Sequence, residues 1–280
     1  KGLQGKGSID FLTAHIESTS LTMLPDSIIG SAQVITNTPS DRRNTAGMDG
    51  INGAFVFRPS KEQLDLKTVQ NAFDFYDQEA RLSGIATVTK QGFSGMGTLA
   101  LKEASLSSDS FDFKMRNATS PSASFTLDGN RSKIAAFQTD DVQCDLDFED
   151  RLGVFTPNSG ETKIELPIQQ YICFMDRFRW YMDEDEIDLL SNRMQEDLPL
   201  DFSDDRTISN FISAHPDQDS LHFLSSSATY RIGEDLLLCK GVLSLAVADS
   251  RILPDSGFLT IRADAKMDEL VHAQIVSNAT

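Results

Sequence analysis

Short runs in which every second residue is apolar recur along the chain. The clearest is 141–149 (DVQCDLDFE): Val142, Cys144, Leu146 and Phe148 fall on one side, Asp145, Asp147 and Glu149 on the other. A period of two belongs to a strand with one dry and one wet face. The same reading predicts strands at 54–58 (AFVFR), at 82–89 (LSGIATVT), within 163–182, and from Leu221 to Met267 in LHF, ATYRI, LLLCKGVLSLAVA and FLTIRADA. Within 163–182, Ile172, Phe174, Phe178, Trp180 and Met182 are predicted to share one face.

Between these runs the pattern weakens. Residues 37–53 and 117–133 are dense in small polar residues and are predicted loops, the second turning at Asp128-Gly129-Asn130. Residues 60–80 fit a helix or a strand, and 205–214 fit neither clearly. One short helix is predicted over about 184–196: Asp183 caps it, Glu186 follows three residues on, Ile187, Leu190 and Met194 form a stripe, and Pro199 follows its end.

The strongest long-range signal is a repeat. Residues 2–23 (GLQGKGSIDFLTAHIESTSLTM) align without a gap on residues 92–113 (GFSGMGTLALKEASLSSDSFDF), an offset of 90. Identical pairs are Gly2/Gly92, Gly5/Gly95, Gly7/Gly97, Ala14/Ala104, Ser18/Ser108 and Ser20/Ser110. Glycine permits turns and close backbone approach, and the following alternation reads as strand–turn–strand. Strand-like sequence after Gly-x-Gly, and the missing third glycine, argue against a dinucleotide loop. Tandem self-similarity points to a solenoid or array whose units cover one another. The chain starts inside the glycine pattern and reads as a segment of a longer protein.

Composition narrows the chemistry. The 280 residues are 40% apolar, enough for a sizeable core, and carry a formal charge of -17, which repels nucleic acid. Cys144, Cys173 and Cys239 are far apart and read as buried thiols rather than metal ligands or a disulfide frame. His15, His215, His222 and His272 show no metal spacing and no nucleophile motif. The acidic sets Asp183–Asp188 and Asp204-Asp205 lack the calcium-loop pattern and read as solvated, and the Asp145/Asp147/Glu149 face shows no cleft for glycoside hydrolysis. Arg177, Arg179, Trp180 and Tyr181 are the candidate partner contacts, with the arginines expected to pair across strands with the acidic face of 145–149. Asn117 and Asn130 head sequences that match the N-glycosylation acceptor pattern, and three-residue matches of this kind carry no argument here. No catalytic, cofactor or metal residues are assigned.

The G-x-G-[ST] and A-x-[IL]-x-S pieces, Phe178-Arg179-Trp180-Tyr181-Met182-Asp183, and Val247-Ala248-Asp249-Ser250 through Leu253-Pro254-Asp255 resemble large repetitive envelope proteins of the Bacteroidota. The resemblance covers most of the chain, brings no catalytic residues, and implies the cell envelope of a Gram-negative bacterium, periplasm or outer membrane. It also makes Ser27 and Ser220, each in an Asp-Ser-apolar triplet, candidate O-glycosylation positions.

The expected fold is mainly β: a repetitive, elongated sheet or solenoid, β-helix or β-taco-like, with at most one or two short helices. The expected organisation is a β region over 1–182 holding repeats 2–91 and 92–182, an acidic, partly helical insertion over 183–218, and further strands over 219–280. The leading functional expectation is a non-catalytic scaffold segment whose partners are neighbouring repeats or other envelope proteins. A lipid conduit resembling AsmA/TamB-type bridging proteins, and a carbohydrate-binding or carbohydrate-active β-helix, are the alternatives.

Overall fold

The computed structural model describes residues 2–129, 134–193 and 208–277. The protein is mainly β, with 62% of residues in strands and, among the described residues, no helix reaching seven residues. Every described register is antiparallel, whereas a β-helix stacks its coils in parallel. The chain forms two compact units, Lys1–Ala123 with Gln143–Asp150, and Ser124–Val142 with Arg151–Thr280.

The first unit is a meander. It runs through β1 (Leu3–Phe11), β2 (Ala14–Met23), β3 (Ile28–Asn37), β4 (Met48–Arg58), β5 (Gln63–Lys67), β6 (Phe73–Phe75), β7 (Ala80–Thr89), β8 (Phe93–Ala100) and β9 (Ala104–Phe113). β10 (Asn117–Asp128) and β11 (Ala135–Asp147) each contribute residues to both units. β5 and β6 act as one interrupted strand, since both pair with β4 on one side and β7 on the other. Segment 38–47 folds over the core: Ala46 N donates to Phe113 O (3.2 Å) and Arg43 Nη2 to Lys90 O (2.9 Å). The interior is aromatic, with Phe75 4.4 Å from Phe113 and 5.5 Å from Phe93. Burying one such ring contributes about 2 kcal/mol.

Most of these strands change face midway. In β9 the buried set moves from Ala104 and Leu106 to Phe111 and Phe113; in β10 it moves from Ala118 and Ser120 to Ala123 and Phe125. An extra residue in one strand of a pair shifts every later side chain to the opposite face. A polar stretch can therefore be a strand, and β10 corrects the predicted loop at 117–133. Its serines and threonines lie mostly outward, while Ala118, Ala123, Phe125 and Leu127 lie inward. The predicted loop 37–53 likewise ends early, because Met48 and Gly50 already face inward in β4. The ambiguous 60–80 resolves as a 3-10 turn at Pro59–Lys61 followed by β5 and β6.

The second unit continues with β12 (Leu152–Pro157), β13 (Thr162–Leu166), β14 (Tyr171–Met175), β15 (Arg177–Tyr181), β16 (Glu186–Leu190), β17 (Phe211–Ser213), β18 (His222–Phe223), β19 (Ser227–Arg231), β20 (Leu236–Lys240), β21 (Leu245–Val247), β22 (Ser250–Leu253), β23 (Phe258–Ile261) and β24 (Gln274–Ser277). Successive strands are long strands broken at one level. One ladder runs β12–β15–β16–β19–β20–β23, the other β13–β14–β17–β18–β21–β22–β24. The two ladders close on each other. Phe137, beside β13, lies 5.0 Å from Phe178 of β15, and Gln169 Nε2 donates to Asp235 O (2.8 Å) between their outer ends.

These breaks correct two expectations. At Asp176 the buried parity switches from Tyr171, Cys173 and Met175 to Phe178 and Trp180, so Ile172 and Phe174 occupy the face opposite Phe178 and Trp180. The predicted helix at 184–196 is strand at Glu186–Leu190, paired on both sides, with Ile187 and Leu189 buried. Two waiting strand edges and a period-two burial outweigh one capping pattern. Met194 lies outside the described residues.

Candidate functional site

The recurrent motif builds the same hairpin twice. β1–β2 and β8–β9 pair through Ile9↔Ile16 and Leu99↔Leu106, and each register shifts at one place, between Gly5 and Gly7 and between Gly95 and Gly97. The repeated serines serve that bulge. Ser18 Oγ accepts from Ser20 N (3.2 Å) and donates to Ser31 O (2.7 Å); Ser108 Oγ accepts from Ser110 N (3.0 Å) and donates to Ser122 O (2.7 Å). A hydroxyl so placed satisfies backbone groups that the bulge removes from the ladder.

The hairpins differ in what flanks them. β8 carries β7 on its far side, in the register Phe93↔Val88, Gly95↔Ala86, Gly97↔Gly84 and Leu99↔Leu82. There the chains cross closely: a Cβ on Gly97 would overlap Ser83 O, and one on Gly84 would overlap Met96 O. β1 pairs with β2 alone among the described registers, and a Cβ on Gly7 would meet nothing within 4 Å. Leu3 is 71% exposed where Phe93 is 1% exposed.

The candidates read from sequence do not converge. Trp180 faces the core, its ring 5.6 Å from Phe125, and is closed to a partner; Arg177 is exposed, and Arg179 and Tyr181 are half-buried on the outer face. Arg179 stands across from Asp188, not the 145–149 face. That acidic face has other partners: Asn117 Nδ2 donates to Asp145 (2.8 Å) and Arg116 pairs with Glu149. Ser27 and Ser220 both occupy half-buried turn positions, with Ser27 Oγ donating to Asp26 Oδ1 (2.9 Å) and Ser220 at φ 54. In the acidic stretch, Asp183 pairs with Arg151 (3.0 Å), Glu186 with Arg231 (3.1 Å), and Asp188 accepts from Thr229 (2.8 Å). Asp204, Asp205 and Asn130 lie outside the described residues. No group of three or more metal-ligating side chains occurs among the described residues.

The histidines are dispersed. His15 Nδ1 lies 2.6 Å from Asp10 across β1–β2, and this hydrogen bond raises its pKa above 6.5. His215 Nδ1 accepts from Asp217 N (3.1 Å), His222 Nδ1 lies 3.0 Å from Ser220 O, and His272 sits at φ 59. All three cysteines are free and buried; burial pushes the Cys144 thiol up to about 12, and Cys173 and Cys239 are raised too. Thiols so raised are poor nucleophiles at neutral pH.

Two buried polar clusters have no signal in the alternation. Asn210 exchanges both amide atoms with Ser225, Oδ1 accepting from its N and Nδ2 donating to its O (2.9 Å each), and so ties together two strand breaks. Tyr230 is fully buried beside Gln169 and Asp235; burial first, then the Asp235 charge, raises its phenol above the ordinary value. A lone Asn among apolar residues, as in Ser209-Asn210-Phe211-Ile212, is the only trace of the first cluster in the sequence. Asn210, Ser225, Tyr230 and Gln169 are fully buried, and Asp235 is half-buried.

No protein-family model, no curated protein and no solved structure matches this chain.

Proposed function

We propose that the chain is a non-catalytic structural segment of a larger cell-envelope protein of a Gram-negative bacterium. Its partners in this reading are neighbouring repeats of the same protein or other envelope proteins. One observation carries it: the recurrent motif serves backbone geometry, since its glycines and serines form the bulge of a hairpin built twice. A lipid conduit would keep an apolar wall open to acyl chains. The scaffold is favoured over it because the inward apolar side chains meet one another, as Phe155 stacks on Phe178 at 4.3 Å and Phe75 on Phe93 at 5.5 Å.

Fractionation of the source bacterium with an antibody to this chain tests the reading. The expected result is recovery in the envelope fraction. Recovery in the cytosol would end it, as would turnover in a reducing-sugar assay or lipid co-purifying in native mass spectrometry.

A further inference from the structure

We infer that the edge of β1 that no described strand covers accepts one antiparallel strand with the chemistry of β7: apolar at the inward positions, glycine opposite Gly7 and a cation opposite Asp10. The inference deepens the scaffold reading and rests on it for its purpose, while its geometry stands on the first unit alone.

The argument is a template within the molecule. β1–β2 and β8–β9 share register, bulge and serine contacts, so β8 shows what covers this kind of hairpin. On β8 that cover is β7, whose Val88, Ala86, Gly84 and Leu82 face Phe93, Gly95, Gly97 and Leu99. Shifted by 90, the same inward positions on β1 are Leu3, Gly5, Gly7 and Ile9. Gly97 needs its hydrogen because Gly84 crosses it, with the Gly84 Cα 2.9 Å from where a Gly97 Cβ would stand. At Gly7 the same residue stands beside open space. The exposure follows: Leu3 is 71% and Met23 44% exposed, against 1% and 0% for Phe93 and Phe113, which hold the same places in the covered hairpin.

Charge agrees on the outer face. In the covered pair Arg81 stands opposite Ala100, the position that Asp10 holds in β1. A β7-type strand on β1 would set its arginine against Asp10. A second copy of β1 fits worse, because symmetric pairing about Gly7 sets Gln4, not a cation, opposite Asp10. An unpaired row of backbone donors and acceptors is itself an acceptor for an added strand, and alternate side chains then set specificity.

The test uses the full chain and a peptide of residues 78–91 (QEARLSGIATVTKQ). Hydrogen exchange followed by mass spectrometry is expected to show saturable slowing confined to β1. A Gly84→Val peptide and the Gly7→Val chain should each bind at least about tenfold more weakly, a scale one blocked contact suffices to produce. The peptide variant keeps the test decisive if the chain variant fails to fold. No slowing at millimolar peptide, slowing only at β24, equal binding by the valine peptide, or dimerisation of the free chain through β1 would each overturn the inference. Failure here would leave the fractionation result intact, so the two readings fall separately.

Discussion

The hairpins at 3–23 and 93–113 are nearly one experiment run under two conditions. Register, bulge and serine contacts agree, yet one hairpin is enclosed by a third strand and by Phe75, while the other ends in open backbone. Local geometry is therefore written within about twenty residues, and burial is written by what lies beside them. The same side chain should stabilise the protein by different amounts in the two places. The largest expected difference is at the centre of each first strand. Leu99→Ala removes a fully buried side chain and should cost about 3 kcal/mol, whereas Ile9→Ala, half-buried at its counterpart, should cost about 1 kcal/mol. Urea unfolding of both variants reads this directly, and equal losses would mean that β1 is covered as well as β8.

Glycine gives the next difference. Gly97→Ala places a methyl on Ser83 O and keeps a φ of 127 that favours glycine, so a loss of about 2–3 kcal/mol is expected. Gly7→Ala meets no neighbour and should cost about 1 kcal/mol or less, through the backbone alone. Melting temperatures of the pair decide it, and a larger loss at Gly7 would reveal a contact at the β1 edge.

The serines should behave more alike. Ser18→Ala and Ser108→Ala each remove a hydroxyl that serves two backbone groups, at about 1–2 kcal/mol. Ser108 also lies 2.8 Å from Ser120 Oγ, so its loss should be the larger by a few tenths. Denaturation midpoints would separate the two, and a loss at one position only would show that the bulges are alike in backbone but not in energy.

The sequence carries the hairpin legibly because every element of it is local: glycines two apart, a two-residue turn, and serines opposite the bulge. Alternation over 141–149 is legible for the same reason, with Val142, Cys144, Leu146 and Phe148 all buried. A fixed period of two fails where a strand gains or loses a residue, as at Asp176, because the extra residue leaves no mark on composition. It fails again in β10, where small polar side chains fill the outer face. The capping pattern at Asp183 misled because helix signals are short-range, while the partners of β16, residues 177–181 and 227–231, come from both sides of it in sequence. Of the partner contacts, Arg177 alone is exposed; Trp180 is aromatic enough to bind and apolar enough to be buried, and alternation cannot choose between these.

The smallest effect links the open hairpin to its inferred cover. His15 Nδ1 donates its hydrogen bond to the Asp10 carboxylate, which with Glu17 holds the imidazolium in favour and raises its pKa above 6.5. A raised folded value means that this pairing contributes fully below the ordinary histidine range and is lost as pH rises through the raised one. Asp10→Asn should return the titration of His15 toward 6.5, read by proton NMR of the ring. A β7-type peptide brings an arginine to the same carboxylate, so saturating peptide should lower the His15 pKa in the same direction without any mutation. Nothing in the covered hairpin can report this way, since Ala100 and Ser105 stand where Asp10 and His15 do. If the peptide slows exchange in β1 but leaves His15 unmoved, its arginine does not reach Asp10. The strand would then be held by backbone and apolar contacts alone, and the cation would drop out of the description of the partner.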